Sequence, residues 1–254
     1  MKLAAQLYTV REFTKTPEDV KKTFEKIKNI GYNAVQVSAF GPIEPILLKE
    51  YAEQFDLKIC ATHTPFDRII NDTENVIKEH KLWDCRYVGL GAMGSEYRAN
   101  KEGYDRLLNE LSPAVEKIYD EGLKFVYHNH NFEFEKIDAK LTGIEYLAEK
   151  TDPKKFGFLA DFFWIQAGGA SPIEFIQRYA SRLNVVHFKD MQIRNLSQRT
   201  AEIFEGNMDY KAIYEECQKN GVEWVAIEQD NCDKDPFESL KVSFENMKSV
   251  GMFL

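Results

Sequence analysis

Eight short apolar runs, each followed by a stretch with helical spacing, fill this chain from end to end, and that alternation leaves few folds open. The runs are residues 3–9, 34–38, 58–62, 87–91, 124–129, 156–160, 184–188 and 224–228. They are rich in Val, Ile, Phe and Tyr and mostly do not alternate apolar with polar, as expected of parallel strands covered on both faces. The intervening helices carry readable ends. Thr16-Pro17-Glu18-Asp19 sets a capping hydroxyl before proline at the first helical position, with acids in the first turn. Val20, Phe24 and Ile27 then recur at helical spacing, and Gly31 predicts the stop. Asp235-Pro236-Phe237-Glu238 repeats the start signal for a last helix with the stripe Phe237, Leu240, Phe244 and Met247, ended by Gly251.

Eight such units in 254 residues predict a single (β/α)8 TIM barrel of parallel strands over residues 1–254, since about 250 residues is the usual size of that fold. An open dinucleotide-binding sheet would carry GxGxxG after the first strand, where this chain has Val10-Arg11-Glu12-Phe13. There is no GxxxxGK[ST] either, and no linker or low-complexity tract. Net charge is −8, which argues against a nucleic-acid partner. No apolar run approaches the ~20 residues of a membrane span, so no membrane partner is expected. The start, Met1-Lys2-Leu3-Ala4-Ala5-Gln6, enters a strand at once, and no targeting peptide is expected. Cys60, Cys85, Cys217 and Cys232 form no CxxC. They are expected to be reduced thiols of a cytoplasmic protein, Cys60 in the core and Cys232 the most exposed.

In a barrel of this kind the C-terminal ends of the strands converge on one mouth, where chemistry is built. Four consecutive strands end in metal-capable side chains: His128, Asp161, His187 and Glu228. Imidazole with carboxylate suits Mn²⁺, Co²⁺, Zn²⁺ or Fe²⁺, and carboxylate-rich sites also admit Mg²⁺. Taken singly, the aspartate reads equally as a helix cap, the histidine as a core residue and the glutamate as a lysine partner. Their shared position favours a metal. In Tyr127-His128-Asn129-His130-Asn131-Phe132-Glu133-Phe134 the alternation sends His128 and His130 to one side and Asn129 to the other. The pair can supply one ligand and one proton-transfer group, with Glu133 and Glu135 within loop reach. His63 ends the third strand and points toward the same mouth, while His80, between Glu79 and Lys81, reads as a surface residue. Lys189 can neutralise an oxyanion or an acidic substrate group, or else pair with Asp190 or another mouth acid. Gln6, Tyr8 and Arg11 end the first strand and are candidates for substrate hydroxyls. Trp164, Phe163, Phe66 and Phe40 are candidates for the pocket wall, with core packing as the plainer alternative. No serine sits in GxSxG and no cysteine lies beside a histidine motif, which disfavours a nucleophilic triad. A glycosidase carboxylate pair fits the histidine-rich strand end less well than a metal site does.

These residues make the chain similar, over nearly its whole length, to the xylose-isomerase-like superfamily of sugar isomerases, epimerases and dehydratases. The resemblance is carried by Gln6-Leu7-Tyr8-Thr9-Val10-Arg11, Tyr127-His128-Asn129-His130, Asp161-Phe162-Phe163-Trp164, Val186-His187-Phe188-Lys189-Asp190, Glu205-Gly206-Asn207-Met208-Asp209 and Trp224-Val225-Ala226-Ile227-Glu228-Gln229-Asp230. It implies a divalent metal (Mn, Mg, Co or Zn) among ligands from strands five to eight. Asp161, His187 and Glu228 match the last three. His128 stands where many relatives have glutamate, with Glu133 as the alternative fourth ligand. In the epimerases two glutamates form the acid/base pair, and His128 departs from that pattern; the His-Asn-His pattern is more similar to the inosose dehydratase branch. Trp164 stands where some epimerases place a second histidine.

The first function this implies is a metal-dependent isomerase or epimerase of a small-molecule keto- or aldo-sugar, with or without a phosphate. It would work by proton abstraction beside the carbonyl. His128 and Glu228 would move the proton, with His130 and Lys189 as further catalytic groups and Gln6, Tyr8, Arg11, His63 and Trp164 binding substrate. The second is a dehydratase or lyase on a keto-cyclitol or 3-keto-glycoside, and the third a non-catalytic barrel. A DNA-repair endonuclease of the same superfamily would need more histidine and acidic ligands and a basic face than five histidines and an acidic chain provide. Homo-oligomers are common among such barrels, but no interface signature stands in the sequence.

Overall fold

A computed structural model describes residues 1–253. Eight parallel strands close into a barrel: β1 (Lys2–Gln6), β2 (Ala34–Val37), β3 (Lys58–Thr62), β4 (Tyr87–Leu90), β5 (Lys124–His128), β6 (Phe156–Asp161), β7 (Leu183–Phe188) and, after a hairpin of β8 (Asp190–Arg194) and β9 (Ser197–Ala201), β10 (Trp224–Ile227). The ring runs β1-β10-β7-β6-β5-β4-β3-β2, and β8 pairs β9 antiparallel outside it. Around the barrel lie α1 (Pro17–Ile30), α2 (Pro45–Gln54), α3 (Phe66–Asn71), α4 (Thr73–Leu82), α5 (Lys101–Asp120), α6 (Gly143–Lys150), α7 (Phe162–Ala167), α8 (Pro172–Tyr179), α9 (Tyr210–Lys219) and α10 (Pro236–Ser249). The expected TIM barrel and all eight expected strands are present. The first strand is shorter than expected: the Gln6 side chain accepts a hydrogen bond from the Tyr8 N–H and starts 3-10 turns over Leu7–Phe13, kinked at Val10. None of the described helices is long and apolar enough to cross a membrane.

Burial forms two layers. Inside the ring, Ala4, Ala34, Cys60, Ala61, Val126, Leu159, Val185 and Ala226 plug the barrel. The larger layer lies between strands and helices, where Phe24, Phe125, Phe158, Phe188 and Leu240 are fully covered. Cys60, Cys85 and Cys217 are buried and Cys232 is half-buried.

Local signals act as chemistry requires. Thr16 and Asp19 form a reciprocal capping box on α1, satisfying backbone N–H groups that the first turn leaves free. Gly31 ends the helix at φ +123°, and a Cβ there would lie 2.6 Å from Cζ of Phe244 on α10. His80 corrects an expectation. It is buried on the inner face of α4, its Nδ1 donating to the Val76 carbonyl (2.7 Å) and its Nε2 accepting from the Thr62 hydroxyl at 2.8 Å. It shares that face with Val76 and Ile77, so it ties α4 to β3, and burial lowers its pKa to about 4.

The hairpin β8–β9 had no counterpart in the sequence reading. Asp190 anchors it: its carboxylate accepts N–H bonds from Met191, Phe204, Gly206 and Met208. A Cβ at position 206 would lie 2.4 Å from Asp190 Oδ1, which explains the glycine in Glu205-Gly206-Asn207.

Gly31→Ala combines a backbone angle that side-chain-bearing residues avoid with a clash against Phe244. It should cost about 1–3 kcal/mol, read as a lower urea midpoint at unchanged slope. An unshifted midpoint would contradict this account of the α1–α10 contact.

Candidate metal centre

Alternation along the strands builds the site. Val126, Leu159, Val185 and Ala226 face the barrel interior, so the residues two positions on, His128, Asp161, His187 and Glu228, face it too, one layer nearer the C-terminal mouth. One ligand atom from each of these four buried side chains lies within 4.8 Å of all the others. Gln6 and Gln36 stand two positions after Ala4 and Ala34 and join the same layer.

The histidines are turned by their outer hydrogen bonds. His128 Nδ1 donates to the Gly91 carbonyl at 2.9 Å, so in the neutral ring Nε2 is a lone pair, aimed at Asp161 Oδ2 3.4 Å away. His187 Nε2 meets Gln36 Oε1 at 2.8 Å. With Nε2 donating to that amide oxygen, Nδ1 is left to face Glu228 Oε2 at 2.9 Å and Asp161 Oδ2 at 3.6 Å. Neither His187 Nδ1 nor Glu228 Oε2 finds a hydrogen-bond partner of good geometry, although both are buried. Lone pairs facing carboxylate oxygens require a proton or a metal ion between them. An outer N–H partner with an inward lone pair is how histidine ligands are held. The carboxylates are held likewise. Gln6 Nε2 donates to Glu228 Oε1 at 3.0 Å, and the Trp164 backbone N–H donates to Asp161 Oδ1 at 3.2 Å, leaving the other oxygen of each to face the histidines and Lys189. Two imidazoles with two carboxylates fit Zn²⁺, Mn²⁺ or Co²⁺.

Lys189 is fully buried, its Nζ 2.8 Å from Asp161 Oδ2, 2.8 Å from Glu228 Oε2 and 2.9 Å from Asp230 Oδ2. The alternative pairing with Asp190 is not formed, because Asp190 is committed to backbone N–H groups. Burial alone would raise the acids, but the Lys189 charge and the histidines hold Asp161 and Glu228 well below the usual carboxylate range. Burial opposes protonation of His187, and the Glu228 and Asp161 carboxylates outweigh it and raise its pKa. For Lys189 the same contest against burial is won by three carboxylates, which keep it charged.

Above the cluster opens a cavity of about 380 Å³, walled by Tyr8, Ser38, His63, Phe66, His128, His130, Glu228 and Asp230 among others. His63 meets the Ser38 hydroxyl at 3.3 Å, and its ring has room because position 91 is glycine: a Cβ there would lie 3.0 Å from Nδ1. Burial, then the neighbouring histidines, holds His63 well below its ordinary pKa and takes His130 down to about 3. The His130 ring lies 4.8 Å from His128 and 5.4 Å from Trp164. Trp164 and Phe163 wall a neighbouring cavity of about 270 Å³ beneath the hairpin, which meets the first at Asp230. Gln6 and Arg11 lie behind the wall: Gln6 orients Glu228, and Arg11 bonds the carbonyls of Tyr8 and Asp230. Glu133 is not in the cluster. A 3-10 turn over Phe132–Phe134 carries it to the outer side of β5, where it accepts from the Tyr127 hydroxyl (2.5 Å) and the His130 N–H (2.8 Å). Phe40 packs against Phe24 and does not line the cavity.

Several supporting residues escaped the sequence reading. Gln36 orients His187, and Gly91 supplies both the His128 partner and the space for His63. Asn129 clasps the end of β6, its Oδ1 accepting from the Asp161 N–H at 3.0 Å. The usable signal was parity, since Gln36 lies two positions beyond the interior residue Ala34.

A family model described as xylose isomerase-like TIM barrel matches residues 24–250. The inosose dehydratase of Lacticaseibacillus casei is 22% identical, over 86% of this chain and 85% of that protein. Among solved structures, a sugar phosphate isomerase/epimerase from Parabacteroides distasonis superposes with a TM-score of 0.80 at 21% identity, over 97% of both chains. The structure described as IOLI protein with a binding zinc atom superposes at 0.72 with 15% identity, over 98% of both.

Burial pushes Glu133 up from 4.5 to about 7. A carboxyl raised in this way takes up a proton on folding between those two values. Its contribution is complete below about pH 4.5 and is lost as pH climbs through about 7, a swing of roughly 3 kcal/mol. Glu133→Gln should therefore gain stability relative to the parent between pH 5 and pH 8 in guanidinium melts. Parallel pH profiles for the two proteins would sink the assignment.

Proposed function

The chain belongs to the xylose isomerase-like TIM barrel family, and from that premise we propose that it is a lyase that eliminates water or an alcohol from a carbohydrate-derived ketone, of the keto-cyclitol or 3-keto-glycoside class. The observation that carries this reading is the distribution of acids and imidazoles around the cavity. Both acids on its wall, Glu228 and Asp230, come from the end of β10, whereas β3 and β5 present His63, His128 and His130. Epimerisation by two carboxylates needs one on each face of the reacting carbon, and among the described residues no carboxylate of the cavity wall faces that pair. Elimination needs a base and a proton for the leaving oxygen, and one imidazole can serve both steps. The inosose dehydratase name of the relative supports the same class. This reverses the order the sequence alone favoured, which put isomerase first.

A divalent ion held by His128, Asp161, His187 and Glu228 would supply Lewis-acid polarisation of the substrate carbonyl. The chain's own groups do the rest. His130, kept neutral at pH 7 by its burial, takes the proton from the carbon beside the carbonyl. The C–H electron pair moves into the enolate. The C–O bond at the next carbon then breaks, and the proton passes from His130 to the departing oxygen, which leaves as water or an alcohol. A double bond conjugated to the ketone remains. Lys189, in contact with Asp161, Glu228 and Asp230, offsets part of their negative charge and so lessens their repulsion of the enolate oxygen. Tyr8, Phe66 and the neighbouring Trp164 exclude water from the enolate.

The test is growth of the ultraviolet band of a conjugated enone when metal-loaded protein meets keto-cyclitols and 3-keto-glycosides. His130→Gln should lower kcat by roughly 10²–10⁴-fold with little change in substrate binding. Carbon-bound deuterium appearing in D₂O without elimination would make the protein an isomerase instead.

Dialysis against a chelator should abolish turnover, and Mn²⁺, Co²⁺ or Zn²⁺ should restore it. Full activity in metal-free protein would refute the role given to the four-residue cluster.

A further inference from the structure

We propose that Lys189 is a built-in counter-cation of the metal-free centre: its ammonium bridges Asp161 and Glu228 until a divalent ion enters, and is then transferred to Asp230. This rests on the metal reading above.

The geometry makes ammonium and ion competitors for the same two atoms. Lys189 Nζ contacts Asp161 Oδ2 and Glu228 Oε2, each at 2.8 Å. Those are also the oxygens that face His128 Nε2 and His187 Nδ1, and so the oxygens a metal would take. The other oxygens of the two carboxylates are already engaged by Trp164 N–H and Gln6 Nε2. To keep both contacts beside a metal, the lysine would have to share an oxygen with the ion or with these donors.

The energetics favour such a stand-in. Two buried carboxylates of like charge are costly without a compensating cation. Lysine is a compact point charge on a flexible four-carbon stem, able to change partner without moving the backbone. Asp230 provides the destination. It stands outside the four-residue cluster, lies 2.9 Å from Nζ and forms part of the cavity wall. The ammonium can therefore leave the two ligands while keeping one ion pair. Metal uptake becomes an exchange of one cation for another, and the loaded centre is the state with the ammonium drawn to the cavity side. The transfer has a nearby reporter, because Nζ lies 5.5 Å from the Trp164 ring centroid.

The experiment uses Zn²⁺, which does not quench tryptophan by paramagnetism, in chelator-competition titrations of the full chain and of Lys189→Met. The variant should bind Zn²⁺ at least about tenfold more tightly, because a competing positive charge is gone. Its metal-free form should melt below the metal-free parent, and Zn²⁺ should close that gap. In the parent, Zn²⁺ should shift tryptophan emission, and Trp164→Phe should remove the shift. Should Lys189→Met fold poorly, crystal structures of the parent with chelator and with Zn²⁺ decide. Loss of the Nζ contacts to Asp161 and Glu228 on loading supports the transfer, and their retention beside bound zinc overturns it. Failure of the parent to bind Zn²⁺ stoichiometrically would refute the metal reading itself. Binding by the parent with no tighter binding by Lys189→Met would refute only the counter-cation role.

Discussion

The pleat of a strand sends every second side chain to the same face, and in a closed barrel that face is the interior. Everything at the mouth depends on this constraint. Val126, Leu159, Val185 and Ala226 fill the barrel with apolar bulk, and two residues later the same parity delivers His128, Asp161, His187 and Glu228 into a common layer. Shifting any of these strands by one residue would turn its ligand outward and an apolar side chain inward. Hydrophobic packing of the plug thus fixes the position of the polar layer above it.

That layer is strained electrostatically rather than sterically. Asp161 and Glu228 are buried together, which their mutual repulsion and desolvation oppose. The positive charge of Lys189 and the proton-binding tendency of His187 offset the penalty. Outer partners then remove freedom from each group: the Gly91 carbonyl for His128, Gln36 for His187, Gln6 for Glu228 and the Trp164 N–H for Asp161. Each donor atom is aimed before a ligand arrives, which is how a site avoids reorganisation during reaction.

Much of this was legible in the sequence, for physical reasons that also explain what was not. The eight strands, the Thr16 cap and the Gly31 stop are local or periodic features, and Asp161, His187 and Glu228 sit at strand ends where parity still holds. Glu133 lies past the end of β5, where the period of two has lapsed, and the 3-10 turn carries it to Tyr127. His80 sits between two charged residues and reads as solvent-facing, yet its place one turn after Val76 puts it on the buried side of α4. The partners of Lys189 could not be chosen from sequence, since a long flexible side chain reaches several acids equally well. The hairpin escaped because its strands are largely polar and only half covered, held by the Asp190 carboxylate rather than by an apolar face.

The hydrogen bond from Gln6 to Glu228 spans 222 residues of chain, and it crosses the seam where β1 pairs with β10. β1 therefore completes its part of the centre only when β10 has docked beside it. Contacts of such long separation are the slow, late ones in assembly. The complete four-residue cluster is consequently a certificate of ring closure: a chain nicked short of β10 lacks Glu228 in place and cannot assemble it, however well the earlier units have formed.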